Sequence, residues 1–316
     1  MASSLLGASA AHSRPLSHPA GARSLALAGV TSCGTLPGEQ LPGHAASYSP
    51  APTVTSQTVV FGADQGRPLL GEIVAPVNVA APLPAVVVVH GGAWVHGDPA
   101  LMRPAARALA SSGFLAFDIS YRLATAGDPG FPGEVGDLRQ AVAYLRGHAA
   151  KLGIDPRRIG VLGSSAGGNL ALLLATAGHG SCSAGTRVAA VVTWSAPMDL
   201  AGYGRANERY CRTRLTVCPM LFRSAERYVG CPYSTCPARW HAASVTPYVR
   251  SDDPPALLFN SSNEIVPLAQ AQRLVRLFDW YHVPARLVVF SGRLHAIAYA
   301  AEALPGTVKF FYRYLG

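Results

Sequence analysis

Apolar residues in this chain gather in short unbroken runs, separated by longer segments of helical spacing. Ala85-Val86-Val87-Val88-Val89 and Ile159-Gly160-Val161-Leu162 are the clearest runs, followed by Val188–Trp194, Pro255–Asn260 and Ala285–Phe290. A run that is apolar at successive positions, with no polar alternation, marks a strand buried on both faces of its sheet. Between the runs, the spacing predicts helices over Ala100–Ser111, Glu134–Leu152, Gly167–Ala177, Leu268–Trp280 and Ala296–Tyr314. Strands alternating with helices predict an α/β fold, a mostly parallel central sheet covered by helices on both faces. Residues 1–58 show neither period and are rich in Ala, Ser, Pro and Gly, so they read as a leader and flexible tether. The folded domain is then 59–316. There is no internal repeat, and no apolar run approaches the ~18–20 residues of a membrane span.

Two of these strands end in glycine-rich turns that carry chemistry. Ile159–Leu162 runs into Gly163-Ser164-Ser165-Ala166-Gly167-Gly168-Asn169, and an Ala/Leu-rich helix follows without a break. So tight a strand-to-helix turn strains its central residue, and Gly163 and Gly167 fit because they have no Cβ to clash. The turn lifts the Ser165 hydroxyl clear of the sheet and points the Ala166 amide at whatever lies above it. Acyl transfer needs both groups: a nucleophile and half of an oxyanion hole. Upstream, the Ala85–Val89 strand ends in His90-Gly91-Gly92-Ala93-Trp94. The Gly91-Gly92-Ala93 turn lets the backbone approach a ligand closely and offer it the amides of Gly92 and Ala93. His90 reads as a loop organiser. Taken alone, this loop also fits a plain strand-to-helix turn.

In order along the chain, His-Gly-Gly-x-Trp, Ser120-Tyr121-Arg122-Leu123 and Gly-x-Ser-Ala-Gly-Gly-Asn resemble the hormone-sensitive-lipase-like carboxylesterases. The chain is most similar to the neighbouring branch of small α/β-hydrolase esterases and feruloyl-esterase-like proteins, from about Val59 onward. The resemblance implies an α/β-hydrolase fold and a serine hydrolase that cleaves carboxylic esters. It also implies a triad in the order Ser, acid, His, with a small-molecule ester as substrate and no cofactor. The family's histidine follows the last strand, which places His295, after Ser291-Gly292-Arg293-Leu294, as the base. Histidine is the side chain whose ordinary titration range suits that task. His12, His18 and His44 lie in the leader, and His148 lies in a helix.

The acid departs from the family pattern. Relatives usually carry Asp where this chain has Asn263, ahead of Ile265-Val266-Pro267. An Asn carbonyl can accept the imidazole Nδ1–H but brings no charge. Glu264 is one residue away on a longer side chain, and Asp199, beyond the strand ending at Trp194, is a more distant source of charge. Asn263 holds the family position, Glu264 is the best local carboxylate, and the choice among the three stays open. An amide in that place also leaves room for a binding protein with weakened chemistry. A formamidase or peptidase on the same fold is the other rival.

The formal charge is +9, and Lys151 and Lys309 are the only lysines, so the basic character is almost wholly arginine. Arg205, Arg209, Arg212, Arg214, Arg223 and Arg227 cluster in an insertion at about 198–241 that reads as a small cap. Without an aromatic stacking platform or a known module they do not make a nucleic-acid surface, and they read as a solvated face. The cap also holds Tyr203, Tyr210, Phe222, Tyr228, Tyr233 and Trp240, placed either to line a pocket or to pack the cap itself. Cys211, Cys218, Cys231 and Cys236 fall in the same insertion. Local bridges Cys211–Cys218 and Cys231–Cys236 would staple it, although four cysteines allow three pairings. Zinc is the competing use, but the spacing matches no common finger, so no metal is expected. Cys182 is left as a lone thiol. Val30-Thr31-Ser32-Cys33 after a short apolar run resembles a bacterial lipobox, so Cys33 is a candidate for lipidation and membrane anchoring. A disordered extension is the alternative. Together these features point to a secreted or cell-envelope lipoprotein, with the oligomeric state unspecified.

Overall fold

The computed structural model describes residues 53–178, 180–181, 184–213 and 219–316, with the backbone alone for 209–213. Its strands are β1 (Val54–Asp64), β2 (Arg67–Pro76), β3 (Leu83–Val89), β4 (Leu115–Ile119), β5 (Ile154–Ser164), β6 (Ala190–Trp194), β7 (Ala256–Ser261) and β8 (Ala285–Phe290). Its helices are α1 (Arg103–Ser111), α2 (Gly133–Gly147), α3 (Ala149–Leu152), α4 (Ala166–Thr176), α5 (Leu200–Thr213), α6 (Met220–Val229), α7 (Pro237–Ala242), α8 (Leu268–Trp280) and α9 (Ala300–Leu315).

The eight strands form one sheet in the order β1-β2-β4-β3-β5-β6-β7-β8. From β4 to β8 every neighbouring pair is parallel; β2 is antiparallel to both β1 and β4. The β1–β2 hairpin turns on Gln65 and Gly66, both at positive φ (45° and 82°), the twist a two-residue hairpin loop needs. Because β1 starts at Val54, the folded region begins inside the segment read as a leader. Thr55-Ser56-Gln57-Thr58 is polar and exposed on the edge of the sheet, so backbone pairing with β2, rather than apolar burial, holds it.

The all-apolar runs sort to two faces with the period of a strand. Ala85, Val87 and Val89 of β3 join the core built with α2, α4 and α8, while Val86 and Val88 join the core built with α1 and α9. Three helix boundaries differ from the sequence reading. The Pro104 ring, in the first turn, sets the start of α1 at Arg103, after a separate 3-10 turn at Pro99–Leu101. A break at His148 splits the long second helix into α2 and α3. The last helix is preceded by a 3-10 turn at Ala296–Tyr299.

The cap comprises α5, α6 and α7, between β6 and β7. Its aromatics pack mainly on one another: Phe222 lies 5.9 Å from Trp240 and 6.4 Å from Tyr203, and Tyr233 lies 6.2 Å from Trp240 (ring centroids). Cys231 and Cys236 form a disulfide, which takes both sulfurs out of the zinc reading, and Trp240 Nε1 donates to the Cys231 carbonyl at 2.9 Å. Arg205, Arg223 and Arg227 are exposed. The Cys33 lipobox, Cys182, Cys218 and Arg214, and the side chains of Arg209, Tyr210, Cys211 and Arg212, lie outside the described residues. Among the described residues no helix is long and apolar enough to cross a membrane.

Candidate active site

Five loops at the carboxyl ends of parallel strands meet above the sheet, the usual place for a site in an open α/β sheet. β5 passes directly into α4 through Ser165, whose backbone sits at φ 53°, ψ −120°. A side chain in that region costs about 1–3 kcal/mol and persists only where its surroundings over-determine it. Here the Ser165 N–H donates to the Trp194 carbonyl at 2.7 Å. The flanking glycines are required by close packing: a Cβ on Gly163 would strike the Gly167 carbonyl, and one on Gly167 would strike the carbonyls of Val89 and His90.

The β3 loop closes on this turn from one side. A Cβ on Gly91 would lie 3.0 Å from the Ser164 carbonyl oxygen and 3.1 Å from the Ser165 Cβ. Gly92, Ala93 and Trp94 then follow one another at positive φ (130°, 51° and 63°), a curl that turns successive N–H groups toward one side. Among the described residues, no acceptor takes the amides of Gly92, Ala93 or Ala166. His90 is buried beneath the loop, with Nδ1 2.7 Å from the Gly91 carbonyl oxygen and its ring stacked on Tyr121 at 4.3 Å. The Tyr121 hydroxyl donates to the His90 carbonyl at 3.0 Å. Burial pulls the His90 pKa down, keeping the imidazole neutral, as an organising residue requires. Arg122, the next residue of the same motif, clamps Asp137 of α2 and Asp64 of β1.

On the other side, His295 follows β8 and Glu264 follows β7. His295 Nε2 lies 2.8 Å from the Ser165 Oγ, and Nδ1 is hydrogen-bonded to Glu264 Oε2. The second oxygen, Oε1, accepts the Ser261 N–H at 2.8 Å and the Ser195 hydroxyl at 2.7 Å. Of the three residues left open by the sequence, the structure brings Glu264 to the imidazole, while Asn263 is exposed and contacts the β8 loop through its backbone N–H, given to the Gly292 carbonyl at 2.9 Å. The physical reason is reach: the turn after β7 points residue 264 inward, and the longer Glu side chain spans the gap. Asp199 is engaged elsewhere. It accepts the Gly202 N–H at 2.8 Å, capping α5, and pairs with Arg273 at 2.7 Å.

Sequence reasoning passed over two residues of this cluster, Ser195 and Tyr299. Ser195 follows β6 at φ 54°, and its Oγ lies 2.6 Å from the Tyr299 hydroxyl. The available signal was position: β6 neighbours β5, so a hydroxyl just past its end must lie beside Ser165. Among the described residues, no group of three His, Cys, Asp or Glu side chains is arranged to hold a metal.

A serine on the turn after β5, in register with a histidine and a carboxylate at the ends of later strands, places the chain in the α/β-hydrolase class. Within that class it belongs to the BD-FAE family, whose model matches residues 72–278. Among curated proteins it is similar to the probable carboxylic ester hydrolase LipM of Mycobacterium tuberculosis, at 28% identity over 61% of this chain and 44% of that one. It is also similar to carboxylesterase NlhH of the same organism, at 39% identity over 29% of each chain. The chain thus spans less than half the length of these relatives. Among solved structures, esterase 2 of Thermogutta terrifontis shares the fold, with a TM-score of 0.65 at 22% identity over 81% of this chain and 94% of that one.

Proposed function

We propose that this chain is a carboxylic ester hydrolase that works through an acyl-enzyme on Ser165. The observation that carries this reading is the unbroken row from Ser165 Oγ through the His295 imidazole to Glu264. His295 takes the serine proton at Nε2 as Oγ attacks the ester carbonyl, while Nδ1–H stays donated to Glu264, whose charge balances the imidazolium. The amides of Gly92, Ala93 and Ala166 receive the developing oxyanion, each such donor typically contributing ~10²–10³ in rate. His295 then protonates the departing alcohol and activates the water that releases the acid. A carboxylate beside the imidazole favours this over the binding-protein reading, which rested on an amide there.

The esterase names of LipM, NlhH and Thermogutta esterase 2 support the ester as substrate class, and the last was solved phosphoramylated by tabun. A fluorophosphonate probe tests the reading. It should label the wild type and leave Ser165→Ala unlabelled, and the wild type should hydrolyse short-chain p-nitrophenyl esters faster than anilides or formamides. A folded wild type that takes no label would reject it; faster turnover of formamides or anilides would move it to the rival hydrolases. We also propose export, supported by the Cys231–Cys236 disulfide and the lipobox-like Cys33 segment.

A further inference from the structure

We propose that the corner Trp194–Ser195, at the end of β6, is the hub that registers nucleophile, acid and base together, with the Ser195 hydroxyl as a positioning residue for Glu264 and the His295 loop. The proposal rests on the ester-hydrolase reading above and extends it to residues that touch no reacting atom. One side of the corner serves the nucleophile: the Trp194 carbonyl accepts the Ser165 N–H at 2.7 Å, steadying the turn at its most strained residue. The other side serves acid and base at once. Ser195 Oγ donates to Glu264 Oε1 at 2.7 Å and accepts the N–H of Ala296, the residue after His295, at 2.9 Å.

A proton count fixes the direction of these bonds. A hydroxyl has one proton and two lone pairs, and an ionised carboxylate only accepts. The Ser195 proton is therefore committed to Glu264, one lone pair to Ala296 N–H, and the 2.6 Å contact with Tyr299 must use the tyrosine proton. The Phe259 carbonyl, 3.1 Å from the Tyr299 hydroxyl, already accepts the Ser195 N–H at 2.8 Å and is the weaker partner. Tyr299 is buried, and burial drives its ionisation far upward, so the phenol remains a donor across the working range. The chain Tyr299 → Ser195 → Glu264 polarises in one direction, which strengthens its last bond. Backbone strain gathers on the same three loops, with Ser165, Ser195 and Ala296 all at positive φ (53°, 54° and 53°). Strain persists where surroundings impose it, and these hydrogen bonds are the surroundings.

Ser195→Gly is the informative variant, because glycine accepts the positive φ, so the CH2OH group is lost without added backbone strain. We expect kcat on a p-nitrophenyl short-chain ester to fall roughly 10- to 100-fold with KM nearly unchanged, as for loss of a hydrogen bond to a charged group. Among the described residues, the ionisable members of this cluster are Glu264, His295 and Tyr299. With one donor gone, the carboxylate holds the imidazolium more tightly, so the acid limb of the kcat/KM profile should move to higher pH. A purely structural role would not move that limb. Tyr299→Phe, which keeps the ring, should show a smaller change of the same sign and little further effect on top of Ser195→Gly. If both variants fold and keep the wild-type kcat and acid limb, the hub is rejected while the enzyme reading stands. If the wild type neither hydrolyses esters nor takes the fluorophosphonate, the enzyme reading itself has failed.

Discussion

Glu264 and His295 face each other across the gap between the β7 and β8 loops, carboxylate to imidazole, while Asn263 points its side chain to solvent. Charge therefore reaches the imidazole from position 264, one residue beyond Asn263. Glu264→Gln should lower kcat by ~10²–10⁴, because an amide can neither balance the imidazolium nor fix its tautomer with certainty. Asn263→Asp should change kcat less than about twofold, since an exposed side chain with no bond to the ring gains little in water. Steady-state kinetics of both variants on one ester check the pair. A marked gain from Asn263→Asp would return the acid role to the family position.

Ser165 Oγ and His295 Nε2 lie 2.8 Å apart, within reach for direct proton transfer. Ser165→Ala and His295→Ala should each lower kcat by at least ~10³, and the double variant should be little worse than either, because such residues act as a unit. Additive losses in the double variant would mean that the two residues serve separate steps.

Gly167 has no room for a methyl group between the carbonyls of Val89 and His90. Gly167→Ala should push the β3 loop away from the serine turn, moving the Gly92 and Ala93 amides off the oxyanion. Because such donors are each worth ~10²–10³ in rate, we expect kcat to fall at least tenfold, with a smaller change in KM. Thermal melting separates this from unfolding: a folded variant with wild-type kcat would show that the loops are not coupled in this way.

The strands were legible because β3, β5, β6 and β7 are buried on both faces and so are written as apolar runs. Ser165 and His295 were legible for a related reason, since each follows such a strand in a turn that a few glycines mark. Glu264 was less so. Which of two adjacent residues faces the site depends on the backbone after β7, set by the Ser261 N–H bond to Glu264 and the Asn263 N–H bond to Gly292. The second of these joins positions far apart in sequence, and the first is given by a backbone N–H that any residue carries, so neither leaves a local pattern. β1 was illegible from Val54 to Thr58 because an edge strand needs only backbone pairing. Ser195 and Tyr299 escaped notice because lone hydroxyls carry no spacing signal.

Trp94 of the β3 loop lies flat on Tyr228 of cap helix α6, with ring centroids 4.8 Å apart and both side chains buried. The cap thus backs the β3 loop that carries Gly92 and Ala93. Tyr228→Ala should cost about 3–5 kcal/mol through the cavity it leaves, and Tyr228→Phe much less, because the stack survives. The informative comparison is kcat for Tyr228→Leu, which fills volume without stacking. A fall with the variant still folded at assay temperature would tie the cap to catalysis; an unchanged kcat would make the stack a matter of stability alone.

Asp118 on β4 is fully buried, and among the described residues no hydrogen-bond donor reaches either of its oxygens. Burial first, and then repulsion from Glu72, push its pKa up to about 8, with Arg103 opposing. The sign follows from proton binding. Between its unfolded value near 4 and about 8, the folded chain holds a proton that the unfolded chain has released. This residue therefore stabilises the fold least at high pH, and its contribution declines as pH rises through that window. Asp118→Asn keeps the shape and never ionises, so the decline should vanish. We expect the variant to gain about 2 kcal/mol over the wild type near pH 9, or roughly 4–8 °C in Tm, and to differ little at pH 5. Melting curves of both proteins from pH 4 to 9 check this: parallel Tm profiles would show that Asp118 ionises in the folded chain as freely as in water.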